Sequence, residues 1–169
     1  MKILPATLSD APSMAELFLA HIQAHPDYIS HGELQMGVGE SYVKDGVTYA
    51  RPAPDAREKW MKYILFQLEN QTSKHVWKAV SSEGILVGFA VAEILSDGDT
   101  SFGMVSDVLV KEDYRGHGTG AILLQTAIDW LRSNGVKGIY LESGKDNHAA
   151  HRFFQKRGFA QVSAIFKLV

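Results

Sequence analysis

The chain of 169 residues contains no cysteine. That excludes disulfides, thiolate-ligated zinc and a cysteine nucleophile, and it agrees with a cytoplasmic location, which is the expectation here. No apolar run approaches the ~18 residues that a membrane-spanning helix needs, and Met1-Lys2-Ile3-Leu4-Pro5 lacks the pattern of a secretory leader. Charge of either sign is not in excess. Lys and Arg number 17 against 19 Asp and Glu, a formal net charge of −2, so neither nucleic acid nor an anionic membrane is indicated as a partner. Proline is scarce (five residues), and no internal repeat or low-complexity segment interrupts the chain. With 46% apolar residues, the sequence reads as one domain over 1–169, large enough to bury a substantial core.

What is present is concentrated in Val105–Gly120, VSDVLVKEDYRGHGTG. Val105, Val108 and Val110 give it strand character, and a helical pattern begins at Ala121. Between them lies Arg115-Gly116-His117-Gly118-Thr119-Gly120. Strand, glycine-rich loop and helix start make a phosphate cradle. Glycines let the backbone approach a ligand, and the first N–H groups of the helix lack intrahelical partners, with the positive end of the dipole behind them. A pyrophosphate suits such a place. Gly116, Gly118 and Ala121 also satisfy the dinucleotide pattern G-x-G-x-x-A, with Glu142 where a ribose-binding acid would sit. Against that reading, about two-thirds of the chain precedes the loop, and Ala121–Val169 is too short for the rest of a doubly wound half-sheet.

Arg115–Gly120 resembles the Q/R-x-x-G-x-G/A signature of the GCN5-related N-acetyltransferases, the GNAT superfamily. A second segment, Asn147-His148-Ala149-Ala150-His151-Arg152-Phe153-Phe154-Gln155-Lys156-Arg157-Gly158-Phe159, is similar to that family's N-x-x-A-x-x-F-Y-x-x-x-G-F. The resemblance implies an α/β fold: a mixed, mostly antiparallel twisted sheet flanked by helices, with the fourth and fifth strands splayed. It implies acetyl-CoA as cosubstrate, an amine acceptor, no metal, and it allows a homodimer. On it, Arg115, Gly116, His117, Gly118, Thr119 and Gly120 bind the pyrophosphate. The backbones of Val108, Leu109 and Val110 meet the pantetheine arm and the thioester carbonyl, and Asn147 contacts the same arm. Basic side chains nearby (Lys111, Arg115, Lys145, Arg152, Lys156) could meet the 3′-phosphate.

Position 154 departs from the family. The usual tyrosine, general acid for the leaving thiolate, is Phe154 here. A thiol with a pKa near ~8.5 leaves as thiolate at pH 7 for about 2 kcal/mol, which is tolerable without an acid. Tyr140, Tyr114, a water or His151 could substitute. The acceptor is the larger demand, since freeing the lone pair of a lysine-like ammonium at pH 7 costs about 4–5 kcal/mol. A base or a desolvating pocket would help. Asp107 and Glu93 are the candidate bases, being carboxylates on inner strands, with Glu142 third. Phe154 also motivates an alternative: an acyl-CoA-binding module with weak or no catalysis. An NAD-type nucleotide enzyme is a further alternative.

The remaining elements follow from periodicity. Lys2–Ala6 reads as a strand. Ser9 or Asp10 caps a helix carrying Met14, Leu17, Phe18 and Ile22. His25–Pro54 reads as an irregular or partly helical insertion. The resemblance implies that this region forms part of the acceptor site, and His25 and His31 in it read as surface residues, not metal ligands. A helix after Asp55 buries Trp60, Ile64 and Leu68, and one of Trp60, Tyr63 and Phe66 lines the acceptor pocket. Val76–Val80, Gly84–Leu95 and Thr100–Val110 read as a meander. After them come a helix to Asn134, a parallel strand Gly138–Glu142, a helix Asn147–Arg157 and a last strand Phe159–Val169.

Overall fold

The computed structural model describes residues 1–69 and 71–168. Strand β1 (Lys2–Pro5) leads through a 3-10 turn into helix α1 (Ala11–Ala24). Asp10 does not cap α1 with its side chain. Its carboxylate accepts from the Thr7 N–H at 2.8 Å and pairs with Lys78 at 2.7 Å. Next come a short helix α2 (His31–Gln35), strands β2 (Gly39–Lys44) and β3 (Val47–Pro52), helix α3 (Ala56–Glu69), and strands β4 (Lys74–Val80), β5 (Leu86–Asp97) and β6 (Thr100–Val110). Helix α4 (Thr119–Ser133), strand β7 (Ile139–Leu141) and helix α5 (His148–Gln155) complete the elements.

The main sheet runs β1-β4-β5-β6-β7, antiparallel except for the parallel β6–β7 pair. Both faces are covered, which is why β5 is apolar without interruption from Phe89 to Ala92. Phe89 and Val91 face α1 and α3, packing with Met14, Phe18, Ile22, Trp60 and Ile64. Ala90 and Ala92 face α4, against Leu123, Leu124 and Leu131. Phe18 and Trp60 stack with ring centroids 4.6 Å apart, locking α1 to α3. On the other face, Gly103 lets α4 press onto β6, since a Cβ there would lie 2.7 Å from Leu131.

Two features of β6 create the site. A register shift sets Asp107 opposite Val91 and Val105 opposite Ala92, leaving Ser106 as a bulged residue. The parallel pairing with β7 covers only Gly103–Val105 against Ile139–Leu141. Beyond it the strands part, and among the described residues Ser106–Val110 has no neighbouring strand on that side. These are the splayed strands that the resemblance implies.

Two expectations need correction. Residues 159–168 form no strand, and Val169 lies outside the described residues. An edge of only three residues at β7 offers little ladder for an added strand, and Val162, Phe166 and Leu168 remain exposed. Within His25–Pro54, the irregular reading misses a β-hairpin, β2 with β3. Its turn is Asp45-Gly46, both at positive φ (52° and 75°), the pattern of a type I′ turn.

Candidate active site

A cavity of about 300 Å³ opens where β6 and β7 part. Its floor is Met104–Leu109 of β6 with Glu93 of β5, and its walls include Phe18, Tyr28, Trp60, Tyr63 and Phe154. Ser30, Gly32, Glu33 and Met36 close it from the insertion, and Leu141–Gly144 and Asn147 close it from the β7 side. The structure thus brings Asp107, Glu93, Val108, Leu109, Asn147 and Phe154 to one cavity.

Asp107 is held by Tyr63, whose hydroxyl donates to Oδ2 at 2.7 Å. Burial pushes the Asp107 carboxyl up to about 7; the Tyr63 hydrogen bond opposes this, while the charges of Glu33 and Glu93 add to it. Burial, and then Asp107 itself, push the Tyr63 phenol well above its usual value, so it stays a donor. Glu93 accepts from the Ser106 hydroxyl at 2.8 Å, made possible by the bulge.

Backbone alternation supports the sequence reading of β6. Lys111 N–H donates to Val87 O, so Leu109 and Lys111 turn toward β5. Val108 and Val110 therefore turn their backbone groups into the cleft. The Val110 carbonyl is already used: Arg115 Nε donates to it at 2.9 Å. Arg115 Nη2 also lies 3.3 Å from His21 Nδ1. Burial, and then the charges of Arg115 and His25, lower His21 to about 4, so the ring is neutral and Nδ1 accepts. The first residue of the glycine signature thus ties its loop to α1.

Gly116 and Gly118 adopt φ of 79° and 86°, which L side chains rarely adopt. His117 between them is exposed. Ile122 N–H closes the first turn of α4 onto Gly118 O, leaving the N–H groups of Thr119, Gly120 and Ala121 at the open helix end. The Thr119 hydroxyl is turned away, donating to the Met1 sulfur at 3.0 Å. Asn147 is the N-cap of α5, accepting from Ala150 N–H at 3.1 Å while lining the cavity.

The proposed stand-ins for the missing tyrosine fare differently from Phe154 itself, which lines the cavity. His151 Nε2 donates to Gly144 O at 3.0 Å. Tyr140 packs edge-on to Phe102 outside the cavity, and Tyr114 joins the cluster on the α4 face. His25 is not simply a surface residue: it stacks on Tyr28 at 4.7 Å with Nε2 buried and unpartnered. Among the described residues, no three His, Asp or Glu side chains converge to hold a metal. Phe66 is exposed, with Lys74 Nζ 3.4 Å from its ring centroid, and does not reach the cavity.

Sequence reasoning did not name Tyr28, took Glu33 only as one of several polar residues of the insertion, and did not single out Tyr63. Glu142, ranked third as a base, instead accepts from Gly32 N–H at 2.9 Å and so ties the β7 end to α2. Its neighbour Gly144 passes so close to the Tyr28 carbonyl that a Cβ would overlap it.

Residues 40–159 match the Acetyltransferase (GNAT) family, and the chain belongs to it. It is an N-acetyltransferase, moving the acetyl group of acetyl-CoA, the family's cosubstrate, to an amine. That sets aside the dinucleotide reading of the glycine loop. The chain is 24% identical to N-alpha-acetyltransferase 30 of Schizosaccharomyces pombe over 67% of its own length and 75% of that protein's. It is 29% identical to the ribosomal protein bS18 alanine N-acetyltransferase of Escherichia coli, over 56% of its own length and 61% of that enzyme's. Its fold matches a crystal structure of a mutant BH1408 protein from Bacillus halodurans with a TM-score of 0.73. That match has 17% identity and covers 100% of this chain and 99% of the other.

Proposed function

We propose that the cavity between β6 and β7 holds the acceptor amine and that Asp107 is its base. The observation that carries this is the Tyr63–Asp107 pair at the cavity floor, with a carboxyl that titrates near the working pH of a base. The thioester arm lies along the free side of β6, bonded to Val108, with its carbonyl at the cleft-facing Val110 N–H and Asn147 opposite. The amine lone pair attacks the thioester carbonyl carbon directly. The departing proton passes to Asp107, and the oxyanion is met by a backbone N–H near Leu109–Val110. The C–S bond then breaks, and the thiolate leaves past Phe154 and takes its proton from solvent. Glu93, fixed by Ser106, holds negative charge beside Asp107 and is a secondary base.

The pyrophosphate sits on the loop Arg115–Gly120 at the open end of α4. Arg152 and Lys156, with Arg157, line a shallow depression on α5, which supports their contact with the 3′-phosphate. Lack of cysteine supports a cytoplasmic location.

The test is a calorimetric titration with acetyl-CoA, followed by thiol release on adding amines; the cysteine-free chain gives no background. Binding near one per chain with amine-dependent release supports the reading. Tight binding with no release across monoamines, diamines and peptides would instead favour an acyl-CoA-binding module, as Phe154 suggests.

A further inference from the structure

We propose, resting on the cavity being the acceptor site, that the acceptor is a small dication whose second ammonium sits between Glu33 and Glu142. The cavity is lined by four acidic side chains, Glu33, Glu93, Asp107 and Glu142, and by no lysine or arginine. His21, also on its wall, is neutral near pH 7. Among the described residues, none of the four carboxylates has an ion-pair partner; the pairs formed involve other acids. Glu33, Glu93 and Asp107 are half-buried, where a carboxylate is costly unless a cation joins it, and Glu142 stands exposed at the cavity mouth.

Their placement follows from their bonds: Glu93 accepts from Ser106, next to Asp107 on β6, and Glu142 accepts from Gly32, next to Glu33 on α2. The row therefore runs from the Glu93 and Asp107 pair on the floor to the Glu33 and Glu142 pair at the insertion, in keeping with the charge of Glu33 acting on Asp107. They do not converge on one point where a metal ion could sit. An elongated cation fits such a row. One amine beside Asp107 reacts, and the other end of the molecule meets Glu33 and Glu142. These two carboxylates come from distant parts of the chain and are brought together by the Gly32–Glu142 hydrogen bond. Each keeps an oxygen free of those bonds: Glu33 commits Oε2 to Ser30 N–H, and Glu142 commits Oε1 to Gly32 N–H. Tyr28, half-buried on the wall, offers aromatic surface for the connecting methylenes and for the cation itself. A volume of about 300 Å³ suits a small diamine rather than a folded protein segment.

The experiment compares a linear alkyl monoamine with the α,ω-diamine of equal chain length, both with saturating acetyl-CoA, by thiol release. A charge-assisted contact at the second ammonium predicts kcat/KM roughly tenfold or more higher for the diamine. In Glu142→Gln and Glu33→Gln the diamine-to-monoamine ratio should fall toward one. Glutamine preserves both the Ser30 cap and the acceptor for Gly32 N–H, so the fold is kept. Equal kcat/KM for the two amines, or a ratio unchanged in both variants, overturns the dication and leaves Asp107 as base. An alanyl peptide preferred over the diamine overturns it as well. Acetyl-CoA binding without turnover of any amine overturns this inference together with the acceptor reading.

Discussion

The Tyr63 hydroxyl lies 2.7 Å from Asp107 Oδ2, joining helix α3 to strand β6 across the floor of the cavity. The bond fixes the carboxylate's orientation and partly offsets the burial that raises its pKa. Tyr63→Phe keeps the ring and removes the donor. A neutral hydrogen bond contributes about 1 kcal/mol, so the acid limb of the kcat/KM profile should move up by about half to one pH unit. Turnover at pH 7 should fall several-fold, with acetyl-CoA affinity unchanged by calorimetry. An unmoved limb would mean that Asp107 is not the group titrating.

Asp107→Asn removes the proposed base and separates catalysis from stability. Turnover at pH 7 should drop by roughly 10²–10⁴-fold, the range for a lost general base, and the limb near 7 should vanish. Stability moves the other way. The folded chain holds the Asp107 proton up to about 7, against an ordinary carboxyl value of 3.8. The native state therefore binds more protons than the unfolded chain between those values, and its stability falls as pH rises from about 4 to about 7. Above that window the charged, buried carboxylate is a liability, so the asparagine variant should be more stable at pH 8 by on the order of 2 kcal/mol. At pH 4 the two chains should unfold at similar urea concentrations. A variant less stable than the parent at pH 8 would contradict the assigned environment of Asp107.

How much of this was legible beforehand follows from the range over which each feature is encoded. The glycine loop, the α4 start and the β4–β5–β6 meander are local patterns, and all were readable. So was Asp107, because a carboxylate amid Val105, Val108 and Val110 has no packing reason to be there. The β2–β3 hairpin was readable too, in Asp45-Gly46, but the surrounding prolines and glycines masked its alternation. Tyr63 was not separable from Trp60 and Phe66 on periodicity, since its partner is 44 residues away on another element. Glu33 and Glu142 meet only because Gly144 allows the insertion to approach β7. The tail 159–168 alternates like a strand, yet strand formation depends on an edge long enough to receive it.

Gly144→Ala tests that approach. Its Cβ would fall on the backbone carbonyl of Tyr28, which cannot rotate aside as a side chain would. The segment from Tyr28 to Gly32 must shift, and overpacking of this kind costs about 1–3 kcal/mol. Urea unfolding should show that loss. Because the shifted segment carries Tyr28 and Glu33, KM for the acceptor should rise more than KM for acetyl-CoA. Equal changes in both constants would argue that the insertion does not form the acceptor wall.

Phe154→Tyr tests the departure of coenzyme A. Phe154 packs edge-on against Phe153, with ring centroids 5.2 Å apart, and lines the cavity beside Asn147 and Ala150. A hydroxyl added there extends an aromatic ring that lines the cavity where the thioester is proposed to lie, and of the substitute donors His151 bonds to a cavity residue, with its Nε2 committed to Gly144 O. Expelling a thiolate at pH 7 without an acid costs about 2 kcal/mol, so a positioned phenol could raise kcat by up to roughly 30-fold if that step limits the rate. The gain should be largest at low pH, where the free thiolate lies furthest above its thiol, as long as Asp107 protonation has not yet ended turnover. If instead kcat is unchanged at every pH while Asp107→Asn remains slow, proton removal from the amine sets the rate. The loss of the tyrosine would then be tolerated because thiolate release is already the faster step.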